Sequence, residues 1–202
     1  MISMSSSLSE EGFLSDETAG VIEAVEGRYE PWLVILRSVN RRAVKAQHEA
    51  EIPTGYLPAL VGAICYMRTL VNIQAAVLLI LRGMDVPARI MLRLAMESLF
   101  QLKAIEHEPA VVNSMIAADD VFRRKLFEKY TRLDSPAVKA ELERIGEPKS
   151  DTADKFKEWG VSRINVEKMA AKADLTPLYL STYPVLSETA HAGIRDLENT
   201  PR

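Results

Sequence analysis

The sequence predicts an all-α fold, a multi-helix bundle around a long buried central helix. Three observations lead there. Runs of β-branched residues with two-residue alternation are missing, and so are the Asn-Gly or Asp-Gly pairs that make hairpins. Nearly every proline and glycine stands where a helix would start or stop. The segment Tyr56 to Leu81 is apolar on almost every side, which marks a helix enclosed by others and not an amphipathic surface helix.

Each element has its own punctuation. Ser15 followed by Asp16 and Glu17 reads as an N-cap with acidic first-turn residues, which suit the positive end of the helix dipole. The helix they open runs to about His48, with a break or restart at Pro31. Thr54 precedes the long apolar helix, which ends near Gly83. Asp85 and Pro87 open a third helix to about His107, since proline in a first turn loses no hydrogen bond. Pro109 begins a fourth, to about Leu133, and Ser135-Pro136 a short fifth that stops at Gly146. Residues 147–163 turn polar and read as loops around a short helix near Asp154 to Trp159. Asn165 caps a helix through Ala173, and Thr176-Pro177 starts the last one, which Pro184 kinks or restarts.

The chain has 202 residues, of which 48% are hydrophobic and 26% charged. That balance sustains a packed core and excludes a disordered or collagen-like chain. The expected organisation is a disordered stretch over 1–14, one helical domain over 15–196 and a tail over 197–202. A net charge of −3 lacks the overall basic footprint of a nucleic-acid coat. One cysteine, Cys65, allows no intramolecular disulfide and no CxxC zinc or redox site. The stretch Met1 to Phe13 has neither a basic nor an apolar region, so it does not read as a signal peptide. Arg68, Asn72 and Gln74 interrupt the apolar helix, and an arginine near the middle of a membrane span is costly. The expectation is therefore a cytoplasmic protein without a membrane partner.

The third helix places Arg89, Arg93, Glu97 and Gln101 four residues apart, a stripe with Ile90, Phe100 and Ala104 mixed into it. Its plain reading is a solvent face whose arginine stems snorkel outward, with an Arg93–Glu97 pair. The sharper reading counts charge. Were Arg68, Arg89 and Arg93 all to approach the interior, Glu97 alone would not neutralise them, because Asp119 and Asp120 are spaced to pair with Arg123 and Arg124. Buried charge needs a partner, so a bound phosphate or carboxylate would complete the set. Arg68 and Arg89 are accordingly ligand-binding candidates.

His107 closes the third helix, where the dipole favours a cation. His48 follows Arg42 with five residues between, an Arg-x(4–6)-His spacing that arises readily by chance and lies too early in the chain to matter. His191 is the informative histidine. Tyr179, Tyr183, Ser187 and His191 recur every four residues, and a helical Ser187–His191 pair is how a base orients a hydroxyl. The plain alternative is a packed tyrosine ladder with a polar tip. Glu188 and His191 form one Glu-x-x-His, whereas helical di-iron sites need two such motifs and two further glutamates. Neither a metal nor a cofactor is expected.

Arg93-x-x-x-Glu97, then a helix bearing Arg123 and Tyr130, then Tyr179-x-x-x-Tyr183-x-x-x-Ser187-x-x-x-His191 resembles a large bacterial family of helical proteins known only as a domain of unknown function. The resemblance covers about Leu57 to Asp196. It implies no established activity, and it implies that Arg93, Glu97, Ser187 and His191 belong to one site. A more distant similarity to HEPN proteins implies a helical, often dimeric, toxin or phage-defence ribonuclease, although no arginine precedes His191 at the distance that family requires. The resulting expectation is an interhelical site for a phosphate-bearing ligand, nucleotide or RNA. His191, Ser187, Arg93 and Glu97 are its catalytic candidates, Tyr179 and Tyr183 its further ligand contacts, and a homo-oligomer its assembly. The contrasting expectation is a non-catalytic dimerisation or protein-interaction module.

Overall fold

A computed structural model describes residues 10–146 and 165–190. Among them are seven α-helices: α1 (Thr18–Glu49), α2 (Leu57–Leu81), α3 (Asp85–His107), α4 (Val111–Tyr130), α5 (Pro136–Ile145), α6 (Val166–Lys172) and α7 (Thr176–Ala190). No strand occurs among the described residues, and the all-α bundle stands. The expected helix near Asp154 to Trp159, His191 and the tail lie outside the described residues.

The punctuation acts as local chemistry dictates. Ser15 Oγ accepts from the Glu17 amide at 3.1 Å, and the Ser15 amide closes a turn on the Gly12 carbonyl at 3.1 Å. Residues Gly12–Leu14 therefore form a single 3-10 turn, and the stretch expected to be disordered through residue 14 is ordered from residue 10. The break expected at Pro31 appears two residues earlier, where Tyr29 leaves helical geometry at φ −115° and ψ 17°. This follows from the proline ring, which crowds the turn before it. Asn165 Oδ1 caps α6 by accepting from the Lys168 amide at 3.1 Å. Helix α2 begins after Tyr56 rather than Thr54, with Pro58 in its first turn.

Two helix ends share one device. After α2, the Gly83 amide bonds to the Ile80 carbonyl at 2.9 Å and the Met84 amide to Leu79 at 3.0 Å, with Gly83 at φ +76°. After α6, Asp174 repeats this at φ 54°: its amide bonds to Ala171 at 3.1 Å and that of Leu175 to Ala170 at 2.9 Å. These are Schellman turns, in which the residue after the cap adopts the left-handed conformation and the last carbonyls are satisfied. They fold α3 back along α2 and set α7 against α6.

Helix α3 occupies the centre. It packs against α2, α4, α6 and α7, and buries Ala88, Ala95, Met96, Ser98, Phe100, Ala104 and Ile105. The contact with α2 is the most extensive in the bundle. Gly62 of α2 faces Leu102 and Ile105, and the buried Cys65 thiol donates to Gln101 Oε1 at 3.7 Å. Burial raises the Cys65 pKa, and the nearby Arg68 charge opposes that only in part.

The long apolar helix departs from expectation in one respect. Its central partner is as predicted, but its burial is one-sided: Gly62, Cys65, Leu70 and Ala76 are enclosed, whereas Leu57, Leu60, Ile64, Met67, Val71 and Leu78 face solvent. Only α3 and α1 lie against it to any extent, so they cannot cover its whole circumference. By length and composition α2 could also cross a membrane, and only 22% of its most apolar window is buried. Helix α1 is attached lightly, through Tyr66 Oη donating to the Ala43 carbonyl at 2.9 Å and Gln74 Nε2 donating to Asn40 Oδ1 at 2.9 Å.

Candidate functional site

The hydrophobic floor of the site is Phe100, which no solvent reaches. Tyr179 meets it edge-on with centroids 6.4 Å apart and an angle of 67°, and Tyr183 meets it tilted at 6.4 Å. The two tyrosines stack at 5.2 Å and 23°. That arrangement requires α7 to stay helical through Pro184, and it does. The proline removes one amide, whose carbonyl partner would belong to the exposed Leu180, where water can substitute. The expected kink is therefore absent.

Above this aromatic floor sits a polar cluster joining α3 to α7. Tyr183 Oη donates to Glu97 Oε1 at 2.7 Å. Arg93 Nε lies 3.0 Å from the same carboxylate oxygen and donates to Tyr183 Oη at 3.3 Å. The Arg93 guanidinium also stands over the Tyr183 ring, its Cζ 5.6 Å from the centroid. The Arg93 and Glu97 side chains retain only 21% and 24% of their exposure. A carboxylate so placed orients the arginine, and the tyrosine orients the carboxylate.

The electrostatics follow. Burial pushes the Tyr183 pKa up, and its hydrogen bond to Glu97 pushes it further, so the phenol stays protonated as a donor. For Arg93, burial works to lower the pKa, but its interactions with Tyr183 and Glu97 outweigh that and hold it above the ordinary value. Among the described residues nothing hydrogen-bonds to the two terminal Nη atoms of Arg93. No buried side-chain nitrogen or oxygen lacks a partner there either, so those Nη atoms are open to solvent.

The expected site residues therefore divide. Arg93, Glu97, Tyr179 and Tyr183 come together. Ser187 lies one turn beyond Tyr183, half-buried, and makes no hydrogen bond to that cluster. His191 lies outside the described residues. Arg68 is exposed on the outward side of α2, away from any interior. Arg89 turns back to Asp85 at 2.6 Å. The predicted excess of buried guanidinium groups is thus corrected: only Arg93 enters the seam between α3 and α7. Helical geometry is the reason. Four residues advance the helix by a full turn plus ~40°, so a four-residue stripe winds around α3. Arg93 and Glu97 face α7, while Gln101 has rotated toward Cys65 on α2.

Sequence reasoning did not foresee how the far end of α3 is tied. His107 Nδ1 lies 3.1 Å from the Lys172 carbonyl and 3.5 Å from Asp174 Oδ2, and Lys172 pairs with Glu108. These contacts dock α6, whose Met169 and Ala170 join the core around Phe100 and Val112. The expected Asp119–Arg123 pair forms at 2.6 Å, exposed on α4. Among the described residues no three His, Cys, Asp or Glu side chains cluster as a metal site would need.

No curated protein and no solved structure matches the chain. A family model does, over residues 59–200, against the span of about Leu57 to Asp196 that the Arg93/Glu97 and Tyr179-to-His191 pattern marks out. It includes α3 and α7, and so the whole polar cluster between them. The chain belongs to DUF5677, a family of unknown function.

Proposed function

We propose that the α3/α7 seam binds a phosphate-bearing ligand, a nucleotide or RNA, with Arg93 as its single anion anchor. The observation carrying this reading is the division of labour within one guanidinium. Its Nε side is fixed by Glu97 and Tyr183, while its terminal nitrogens stay open. Pre-orientation of that kind lets arginine's planar fork meet a phosphate without first paying for its own ordering. The stacked Tyr179–Tyr183 pair beside it offers an aromatic surface for a base. Arg68 and Arg89 have no part in it.

The chemistry suited to such a site is metal-independent phosphodiester cleavage. The RNA 2′-hydroxyl attacks phosphorus and loses its proton to a base, and the 5′-oxygen leaves with a proton. His191 would serve as general acid or base, Arg93 would hold the charge developing on the non-bridging oxygens, and Glu97 would orient Arg93. Ser187, on the same face of α7, would position His191 or the ligand.

The test is to incubate the full chain with labelled single-stranded RNA in the presence of EDTA. Products ending in a 2′,3′-cyclic phosphate, lost in His191→Ala at unchanged melting temperature, are expected. Intact RNA with the wild-type chain would refute cleavage. A His191→Ala variant that loses stability and nothing else would make the cluster a structural clasp. The non-catalytic reading has its own support in the apolar side of α2 left open to solvent.

A further inference from the structure

The solvent-facing side chains of α2 are not scattered. Leu57, Leu60, Ile64, Met67, Val71 and Leu78 follow one another at intervals of three, four, three, four and seven residues, and each is between 43% and 59% exposed. That is the 3.5-residue repeat of a coiled-coil seam, with Leu57, Ile64, Val71 and Leu78 at one core position and Leu60 and Met67 at the other. The intervening turn places Gln74 toward α1, where it bonds to Asn40. The seam runs ~32 Å at 1.5 Å per residue. At its end Leu78 joins a cleft of about 310 Å³ between α1 and α2, with Leu36, Ile73 and Val77 in its walls.

We infer that this stripe is the contact surface of a homodimer, in which α2 pairs with α2 of a second copy. The spacing specifies a helix as occupant, since a seam repeating every 3.5 residues is filled by knobs from a helix of the same kind. Charge allows that helix to be the same one. Helix α2 contains no acidic residue and one cation, the exposed Arg68, so two copies meet without rows of like charge. The centre of the seam pairs β-branched Ile64 and Val71 with Met67 and Leu60, the combination that favours two strands.

Area points the same way. Six large side chains about half exposed offer on the order of 600 Å² of apolar surface, the upper end of what one soluble chain leaves open. Doubling by a two-fold axis gives about 1,200 Å² before α1 and the seam's edges contribute, which reaches the range of specific interfaces. This inference does not depend on the α3/α7 site, which lies on other faces of the bundle's helices.

Sedimentation equilibrium of the full chain tests it. The wild-type chain is expected at twice the single-chain mass at low micromolar concentration. Ile64→Glu and Val71→Glu, both at positions already facing water, are expected to raise the dissociation constant at least tenfold while keeping helicity by circular dichroism. Phe122→Glu, an equally exposed apolar position on α4, is expected to leave the dimer intact. A wild-type chain that stays monomeric at 100-fold higher concentration would overturn the inference, as would a dimer indifferent to both seam substitutions. Flotation of a chain monomeric in buffer with phosphatidylcholine/phosphatidylserine vesicles, abolished by Ile64→Glu, would overturn it in favour of a lipid surface.

Discussion

Tyr183 does two jobs with one side chain: its ring completes the aromatic stack on Phe100, and its hydroxyl donates to Glu97. Replacing it by phenylalanine keeps the first and deletes the second. Because the bond runs to a charged acceptor with a quarter of its exposure left, Tyr183→Phe is expected to cost about 1–2 kcal/mol in thermal or urea unfolding. The pH dependence has a definite sign. Burial and Glu97 raise the folded-state pKa of Tyr183, so the folded chain holds that proton more tightly than the unfolded one. The stabilisation is complete below the ordinary tyrosine value of about 10 and is lost as pH rises through the higher folded-state value. Alkaline unfolding curves are expected to fall more steeply for the wild type than for Tyr183→Phe, and parallel curves would refute the arrangement. Phe100→Ala removes the floor itself. From full burial it is expected to cost about 3–5 kcal/mol, read as a drop in melting temperature on the order of 10 °C.

At the scale of elements, most of the helix plan was legible in the sequence because caps and breakers are local chemistry. Asn165, the prolines and the glycines at 83 and 146 need only their neighbours to act. Pro184 was not legible, because its cost depends on whether the carbonyl it orphans faces water, which only the fold decides. The stripe on α3 failed for a similar reason. Residues four apart look collinear in a string, but the turn they accumulate sent Glu97 to α7 and Gln101 to α2. The α2/α3 contact yields a further prediction. A Cβ at Gly62 would meet Leu102 Cδ1 at 3.8 Å and Ile105 Cγ2 at 4.0 Å, ordinary van der Waals distances. Gly62→Ala is therefore expected to stabilise the protein by about 0.5–1 kcal/mol, through helix propensity and a less flexible unfolded chain. Gly83→Ala is expected to do the reverse, since its φ of +76° is strained for alanine and a Cβ would lie 3.3 Å from Val21. Melting curves of the two variants should shift in opposite directions.

For the whole molecule, composition and periodicity led to the fold class but not to which helix is central. An apolar helix reads as buried whether a neighbouring helix covers it or nothing in its own chain does. Helix α3, with fewer apolar residues, is the one the bundle encloses, and α2 keeps a side open. The same blindness governed charge. Counting arginines presumed that all three entered the interior, whereas Arg68 shares the open side of α2 and Arg89 pairs locally with Asp85. What the four-residue spacing of Tyr179, Tyr183 and Ser187 did convey was a shared face, and two of those three reach α3. The functional reading now rests on Arg93 alone. Its most direct test is the ratio of dissociation constants of the wild-type chain and Arg93→Gln for a short labelled single-stranded RNA, measured by fluorescence anisotropy at matched helicity. Loss of at least tenfold in affinity, about 1.4 kcal/mol, is the predicted result; equal affinities would contradict the anion site.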